Sequence, residues 1–338
     1  MNVNKVAVLG AGGWGIASSN LLSQNGHEVR LWEFDPTVCK KLRTTRKLPS
    51  KLPGIIIDEK ILITANMAES IENADFICCV VPSQFMRSSV KRIAQLGMDK
   101  PAIFVNQAKG IEVGSLRRMS EILAEELPEK YRAGICTLSG PSHAEEVARD
   151  MPTAITAASE DQAVAEAVQK IFTRPTFRVY TTNDIIGVEL AGSLKNIIAL
   201  AAGMLDGLGL GDNTRGALLT RGLVEIARMG VKFGADPMTF SGLSGVGDLV
   251  TTCLSRHSRN RFVGEQVGRG RKLKDVLAKM PMVAEGVETT RSGYALARKL
   301  NMEMPITVEV YRVLFEEKPP REAINDLMTR GLKSERFA

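Results

Sequence analysis

The amino-acid sequence predicts a doubly wound, mainly parallel α/β sheet followed by an all-helical domain, and three observations carry that prediction. Short apolar runs alternate with helical stretches up to about Thr182, the pattern of parallel strands joined by crossover helices. Several of those runs are apolar almost throughout, as strands covered on both faces must be. After Asp184 the pattern changes to helical stretches, with no convincing strand. On this reading the chain divides into residues 1–183 and 184–338.

The first thirty-three residues justify the first elements and assign them a ligand class. Val3 to Leu9 is a short apolar run, followed by Gly10-Ala11-Gly12-Gly13-Trp14-Gly15, a helix-like stretch to Asn25, and Glu28 to Glu33. That is strand, G-x-G-x-x-G, helix, strand. Gly10 permits the tight turn off the strand, Gly12 lets backbone approach a pyrophosphate, and Gly15 lets helix and strand pack closely. The opening helix aims unpaired N–H groups and the positive end of its dipole at those phosphates. Glu33 stands about twenty residues on, where a carboxylate accepts hydrogen bonds from a ribose 2′-hydroxyl, which completes a dinucleotide fingerprint. A glycine-rich turn in some other βαβ unit is the alternative.

The strand candidates are Lys5–Gly10, Glu28–Glu33, Ile61–Thr64, Asp75–Val81, Ala102–Asn106, Gly134–Ser139, Thr153–Ala157 and Phe177–Thr181. Helices are expected over Ser83–Leu96, Ser115–Leu127 and Asp161–Phe172, with Ser70–Asn73 and the Pro49/Pro53 stretch as plain connections. In the second half, Ile185–Gly203, Asn213–Phe233, Arg261–Arg269, Lys272–Lys279, Glu285–Leu300, Pro305–Glu317 and Arg321–Met328 read as helices. The cleft between the two halves is the default active site.

Composition narrows the partners. The 338 residues are 44% hydrophobic and 24% charged, ordinary for a soluble globular chain of two domains. A net charge of +6 invites a nucleic-acid reading, but the basic residues are spread along the chain and aromatics are only 5%, so a base-stacking surface is not expected. A phosphorylated or anionic substrate is the more economical partner. The five cysteines are odd in number without C-x-x-C spacing, and the three histidines are widely separated. Buried reduced thiols in a cytoplasmic protein are therefore expected, and no metal site. The N-terminus runs straight into a strand, so no signal peptide is expected. Ile185–Leu205 is apolar but carries Glu189, Lys195 and Asn196, which are costly inside a membrane; a buried core helix is expected instead.

Two lysines and three short stretches could do chemistry. Lys195 has Ala191, Ile198 and Ala199 as helical neighbours, so its ammonium must snorkel out, pair, or lose its proton. A partly desolvated lysine suits proton transfer near neutral pH; a snorkelling surface lysine is the alternative. Lys109 directly follows the Ala102–Asn106 strand, where open sheets bind ligands, unless it is a solvated loop residue. Ser139-Gly140-Pro141-Ser142-His143-Ala144 follows another strand and can offer N–H groups and a hydroxyl, or be a plain strand-to-helix turn. His143 has no partnered carboxylate in its motif, which argues against a histidine base. In Gly245–Thr252, Asp248 could orient a lysine or a substrate hydroxyl. Ser258, Arg259 and Asn260 combine a hydroxyl, a forked guanidinium and amide protons near a helix start, a set that suits a phosphate dianion. A basic solvated turn is the alternative.

Taken together, Gly10–Gly15, Asn106–Glu112, Ser139–Val147, Gly187–Asn196 with its continuation to Gly216, Gly245–Thr252 and Ser258–Asn260 resemble, in order, the soluble bacterial NAD(P)-dependent glycerol-3-phosphate dehydrogenases. The resemblance implies a Rossmann domain plus a helical domain like that of 6-phosphogluconate dehydrogenase. It implies a homodimer that reversibly reduces dihydroxyacetone phosphate to sn-glycerol 3-phosphate for phospholipid synthesis. By resemblance, Lys195 transfers the proton, Lys109 contacts substrate and cofactor, and Gly140, Ser142, Asp248, Ser258, Arg259 and Asn260 form the substrate pocket. Gly13, Trp14, Phe34, Ala144, Val283 and Glu285 fall on cofactor-contacting positions, as does Arg259.

NAD or NADP is expected, with NAD at least as usable. Phe34, Asp35 and Pro36, rather than an arginine, follow Glu33, whereas Lys40, Lys41 and Arg43 weigh toward a 2′-phosphate. A related 3-hydroxyacid or 6-phosphogluconate-type dehydrogenase is the enzyme alternative. A non-catalytic nucleotide sensor or nucleic-acid-binding protein would leave Lys109, Lys195 and Asp248 unexplained.

Overall fold

A computed structural model describes residues 3–280, 282–332 and 334–335. Among them, eight strands occupy the eight apolar runs: β1 Lys5–Leu9, β2 Glu28–Trp32, β3 Leu62–Thr64, β4 Phe76–Cys79, β5 Ala102–Asn106, β6 Arg132–Ser139, β7 Thr153–Ala158 and β8 Phe177–Thr182. They form one sheet in the order β3-β2-β1-β4-β5-β6-β7-β8. Neighbours run parallel except β6 and β7, whose antiparallel register matches Leu138 with Ala157. The link between those two strands carries only the four-residue helix Ala144–Val147, too short to return the chain to the starting end of β6.

The continuous apolar runs are explained by what covers them. Val6, Val8, Leu31, Cys78 and Val105 face one side, against Ile16 of helix Gly13–Gln24 and Val168 of helix Gln162–Phe172. Their neighbours Ala7, Leu9, Ile77, Cys79 and Phe104 face the other, against helices Met86–Leu96 and Met119–Glu126. Successive strand residues alternate faces, so a sheet clad on both sides needs apolar residues at every position. The strand order reverses at β1, which pairs with β2 on one side and β4 on the other. The crevice at the carboxyl ends beside such a reversal is where α/β sheets take their ligands.

Helix Ile185–Gly207 runs through the centre of the second half. It is long and apolar enough to cross a membrane, yet 94% of its most apolar window is buried inside the protein, as expected of a core helix. Helix Arg259–Gly268 lies backbone to backbone against it. A Cβ on Gly203 would stand 1.9 Å from the Arg261 carbonyl oxygen, and one on Gly264 1.9 Å from that of Leu200. This contact fixes where Ser258, Arg259 and Asn260 emerge. Gly264→Ala should therefore lower the unfolding free energy measured in denaturant by at least the ~1–3 kcal/mol typical of overpacking, because backbone cannot step aside.

Some elements differ from expectation. Helix Pro36–Thr45 occupies a stretch without an expected element; Asp35 caps it by accepting from the Thr37 and Val38 N–H groups. Met67–Ile71 is a short helix capped by Asn66, and its last two residues fall in the Ser70–Asn73 stretch expected as a plain connection. The expected helix from Ser115 starts only at Met119. Residues before it form a turn, with Leu116 at φ 62° and Ile111 bridged to Arg118. Among the described residues no strand follows Thr182.

Candidate active site

The carboxyl ends of the central strands and the helical half enclose a cleft of about 760 Å³, the size of a cofactor site. At its floor β1 leads into Gly10, whose φ of 117° is one that side-chain-bearing residues rarely adopt; a Cβ there would also stand a tight 3.2 Å from the Val80 backbone. A Cβ on Gly15 would lie 1.8 Å from the Gly10 carbonyl oxygen, so Gly15 is the helix–strand contact. A Cβ on Gly12 meets no protein atom. The space above Gly12, at the start of helix Gly13–Gln24, opens into the cleft and fits a pyrophosphate. Gly13 packs toward Ala144, with 3.7 Å between a Cβ there and that of Ala144. Trp14 lines the cleft with its indole N–H donated to Gln107 Oε1 at 2.7 Å.

Glu33 follows β2, is buried, and lines the cleft; its Oε1 accepts from the Asp35 N–H at 3.1 Å. Phe34 stands exposed at the rim. Lys40, Lys41 and Arg43 sit on helix Pro36–Thr45 outside the lining, and Arg43 Nε donates to the Ile63 carbonyl at 2.6 Å. The basic side chains that do line this part are Lys51 and Arg92, the latter 6.0 Å over the Trp32 ring. Neither follows the second strand, so the spacing around Glu33 gives no sign of them.

Deeper in the cleft three side chains form one charged unit. Lys195 Nζ donates to Asp248 Oδ1 at 2.5 Å and to Thr252 Oγ1 at 2.5 Å. Lys109 Nζ donates to Asp248 Oδ2 at 2.6 Å and to the Gly140 carbonyl at 2.8 Å. Lys195 and Asp248 are 5% and 2% exposed, so Lys195 neither snorkels nor stands alone. Burial brings its pKa down to about 8; Asp248 pulls upward and Lys109 pushes down. Burial also works against the Asp248 charge, but Lys109 and Lys195 outweigh it and hold that carboxyl below its ordinary value. Thr252 lies inside a motif the sequence singles out, but its role as a Lys195 partner is visible only in three dimensions.

The neighbouring motifs divide into cleft-lining and structural parts. Gly140 has φ 145°, and its carbonyl accepts from both Lys109 and the Ser142 hydroxyl, the latter at 3.0 Å. Ser258 Oγ caps helix Arg259–Gly268 by accepting from the Arg261 N–H. Arg259 Nη1 donates to the Val283 carbonyl at 2.7 Å. Asn260 is spent partly on the protein: Nδ2 donates to Asn196 Oδ1 at 2.8 Å and Oδ1 accepts from the Gly286 N–H at 3.0 Å. Glu285 accepts at Oε1 from the Ser83 N–H and at Oε2 from its hydroxyl, tying the two halves together across the cleft. His143 and His257 also line it, with ring centroids 5.9 Å apart. Burial, helped by Lys195, lowers the His143 pKa, so its ring is neutral at neutral pH.

This arrangement has relatives. Residues 5–165 match the family described as NAD-dependent glycerol-3-phosphate dehydrogenase N-terminus, and residues 184–325 its C-terminus. The chain is 50% identical over 331 residues to a Geobacter sp. (strain M21) protein named glycerol-3-phosphate dehydrogenase (NAD(P)+), covering 98% of each chain. It is 51% identical over 331 residues to the protein of that name from Chlorobium luteolum, covering 98% of this chain and 99% of the relative. It is also similar to the crystal structure of glycerol-3-phosphate dehydrogenase from Coxiella burnetii, with a TM-score of 0.93, 37% identity, and coverage of 97% and 99%.

Proposed function

Because the chain belongs to the NAD-dependent glycerol-3-phosphate dehydrogenase family, we infer that it interconverts sn-glycerol 3-phosphate and dihydroxyacetone phosphate with NAD or NADP. The observation that carries the mechanism is the pair of lysines held by one buried carboxylate in the cleft. The bound nicotinamide supplies hydride exchange with C2 of the substrate. Lys195 does the proton work. In oxidation its neutral form takes the C2 hydroxyl proton; in reduction its ammonium gives a proton to the forming alkoxide. An ordinary lysine would hold too little neutral form near pH 7 to 8, and burial supplies more. Asp248 and Thr252 occupy two of the three Lys195 donor positions, leaving one for substrate. Lys109 adds a second cation beside the oxygen that gains charge. Residues 1–183 on this reading carry the dinucleotide and residues 184–338 complete the substrate site.

Arg259 is assigned to the substrate phosphate, with Gly140, Ser142, Ser258 and Asn260 as the other proposed substrate contacts, since one guanidinium nitrogen is anchored on Val283 and the others remain free for bidentate contact. Arg259→Ala should raise KM for dihydroxyacetone phosphate by the equivalent of ~1.5–3 kcal/mol, the worth of a charge-assisted hydrogen bond. The test is absorbance of the reduced nicotinamide with each substrate. Unphosphorylated dihydroxyacetone should be a very poor substrate, and equal efficiency with it would refute the reading.

NAD is favoured over NADP at least to parity, because a 2′-phosphate beside Glu33 meets a like charge. Glu33→Ser should shift the kcat/KM ratio toward NADP. A wild-type preference for NADPH of about a hundredfold, some 2.7 kcal/mol, would instead assign the choice to Lys51 and Arg92. Free, buried Cys39, Cys78, Cys79, Cys136 and Cys253 support a reducing, cytoplasmic location. A homodimer is supported by the exposed apolar row Val246, Val250 and Leu254. Supply of glycerol 3-phosphate for phospholipid synthesis is the corresponding cellular role.

A further inference from the structure

Glu189 lies six residues before Lys195 on helix Ile185–Gly207, about 9 Å along the axis at 1.5 Å per residue. Its carboxylate is buried and accepts hydrogen bonds from five donors. Oε1 accepts from the Ser120 N–H at 2.9 Å, Thr137 Oγ1 at 3.0 Å and Asn106 Nδ2 at 3.2 Å. Oε2 accepts from Ser120 Oγ at 2.6 Å and Arg118 Nη1 at 2.7 Å. The donors come from the end of β5, from β6 and from the start of helix Met119–Glu126. An apolar residue of similar volume would hold a core helix as well as a buried ion pair does. What this carboxylate adds is a fixed register between the helix and three pieces of the sheet half.

One of those pieces leads to the Lys109 turn, and Thr137 backs it by accepting from Asn106 Nδ2 at 3.3 Å. Asn106 Oδ1 accepts from the Ala108 N–H at 2.9 Å and its Nδ2 also reaches the Ala108 carbonyl at 3.3 Å, which shapes the turn presenting Lys109. From the other side Asn196, next to Lys195, donates to the Lys109 carbonyl at 3.3 Å. The Lys109 turn is thus clasped at both ends by side chains that answer to one helix. Asp248 can hold both lysines only if that turn and the helix keep their spacing.

We propose that Glu189 is a positioning residue of the reaction: through Asn106 and Thr137 it locks the Lys109 turn against the Lys195 helix, so that both ammonium groups converge on Asp248. The inference rests on the reading of Lys195 as the proton carrier. The titratable groups that face Lys195 are Asp248, Lys109, the Cys253 thiol and His143. Of these, Lys109 is the one whose position Glu189 controls. When the clasp loosens, Lys109 retreats and ceases to repel the Lys195 proton.

The test is Glu189→Gln in the full chain, which keeps the size of the side chain but turns an amide N–H₂ toward donors. The variant should bind NADH, followed by its fluorescence, within a few-fold of wild type, and keep KM for dihydroxyacetone phosphate within a few-fold. Its kcat should fall by about tenfold or more, the scale of sub-ångström misplacement. The pH limb of kcat/KM for glycerol 3-phosphate should move upward. Thr137→Val, which removes one donor only, should change kcat and the limb in the same direction by less; should Glu189→Gln not fold, Thr137→Val is read by the same criteria. A folded variant with lowered melting temperature but unchanged kcat and limb would make Glu189 a stabilising residue only and overturn the inference. A wild-type profile lacking the limb would overturn the Lys195 reading itself, and the inference with it.

Discussion

Lys195→Met should turn over about 10² to 10⁴-fold more slowly than wild type while binding dinucleotide almost normally, the usual loss when a general acid–base group is removed. Methionine has a similar length and no charge, and it suits the apolar side of helix Ile185–Gly207. Removing this ammonium leaves Asp248 with Lys109 as counter-ion at 2.6 Å, so the carboxylate is not abandoned and the fold should persist. The dinucleotide-facing glycines lie on other elements. The expected signature is therefore a kcat collapse with unchanged cofactor fluorescence titration. Turnover within a few-fold of wild type would mean that another group moves the proton, and His143, lining the same cleft, would be the first to test.

Asp248→Asn should damage both stability and catalysis. Asp248 is 2% exposed and holds Lys195 and Lys109 through its two oxygens. Removing one partner of a buried pair costs about 3–5 kcal/mol because the remaining charge is uncompensated, and less to the extent that Lys195 sheds its proton. The sign of the pH effect follows from its causes. Asp248 raises the Lys195 pKa while burial and Lys109 lower it, so loss of Asp248 moves the lysine below about 8. At neutral pH the variant holds less ammonium, and reduction of dihydroxyacetone phosphate should suffer more than oxidation of glycerol 3-phosphate. Denaturant unfolding and rates in both directions check this; a loss of less than about 1 kcal/mol, the range of an exposed ion pair, would contradict it.

Much of this molecule is legible in its sequence, for identifiable reasons. The eight strands are apolar at successive positions because Val6 and Val8 face one helical layer and Ala7 and Leu9 the other. The inversion of β7 is not legible, since strand direction leaves no mark on a two-residue repeat. Helix Pro36–Thr45 escapes because only Cys39 and Leu42 of it are buried, too few to make a stripe, although Asp35-Pro36 is a sound start signal. Lys109, Lys195 and Asp248 are each recognisable as candidates. Their convergence is not, because Lys195 and Asp248 are 53 residues apart and Lys109 and Asp248 are 139 apart. For the same reason Gln107 on Trp14, Ser83 on Glu285 and the donors around Glu189 appear only in the folded chain.

The pH dependence of kcat/KM in both directions tests the lysine cluster most directly. Lys195 is lowered from its ordinary 10.5 to about 8. Oxidation needs the neutral amine, so kcat/KM for glycerol 3-phosphate should climb with pH and level off above about 8. Reduction needs the ammonium, so kcat/KM for dihydroxyacetone phosphate should be level below about 8 and decline above it. Paired limbs of opposite sign meeting near pH 8 are the predicted result. Limbs near 10.5, or two limbs of the same sign, would contradict the assignment of the proton to a buried Lys195 held by Asp248.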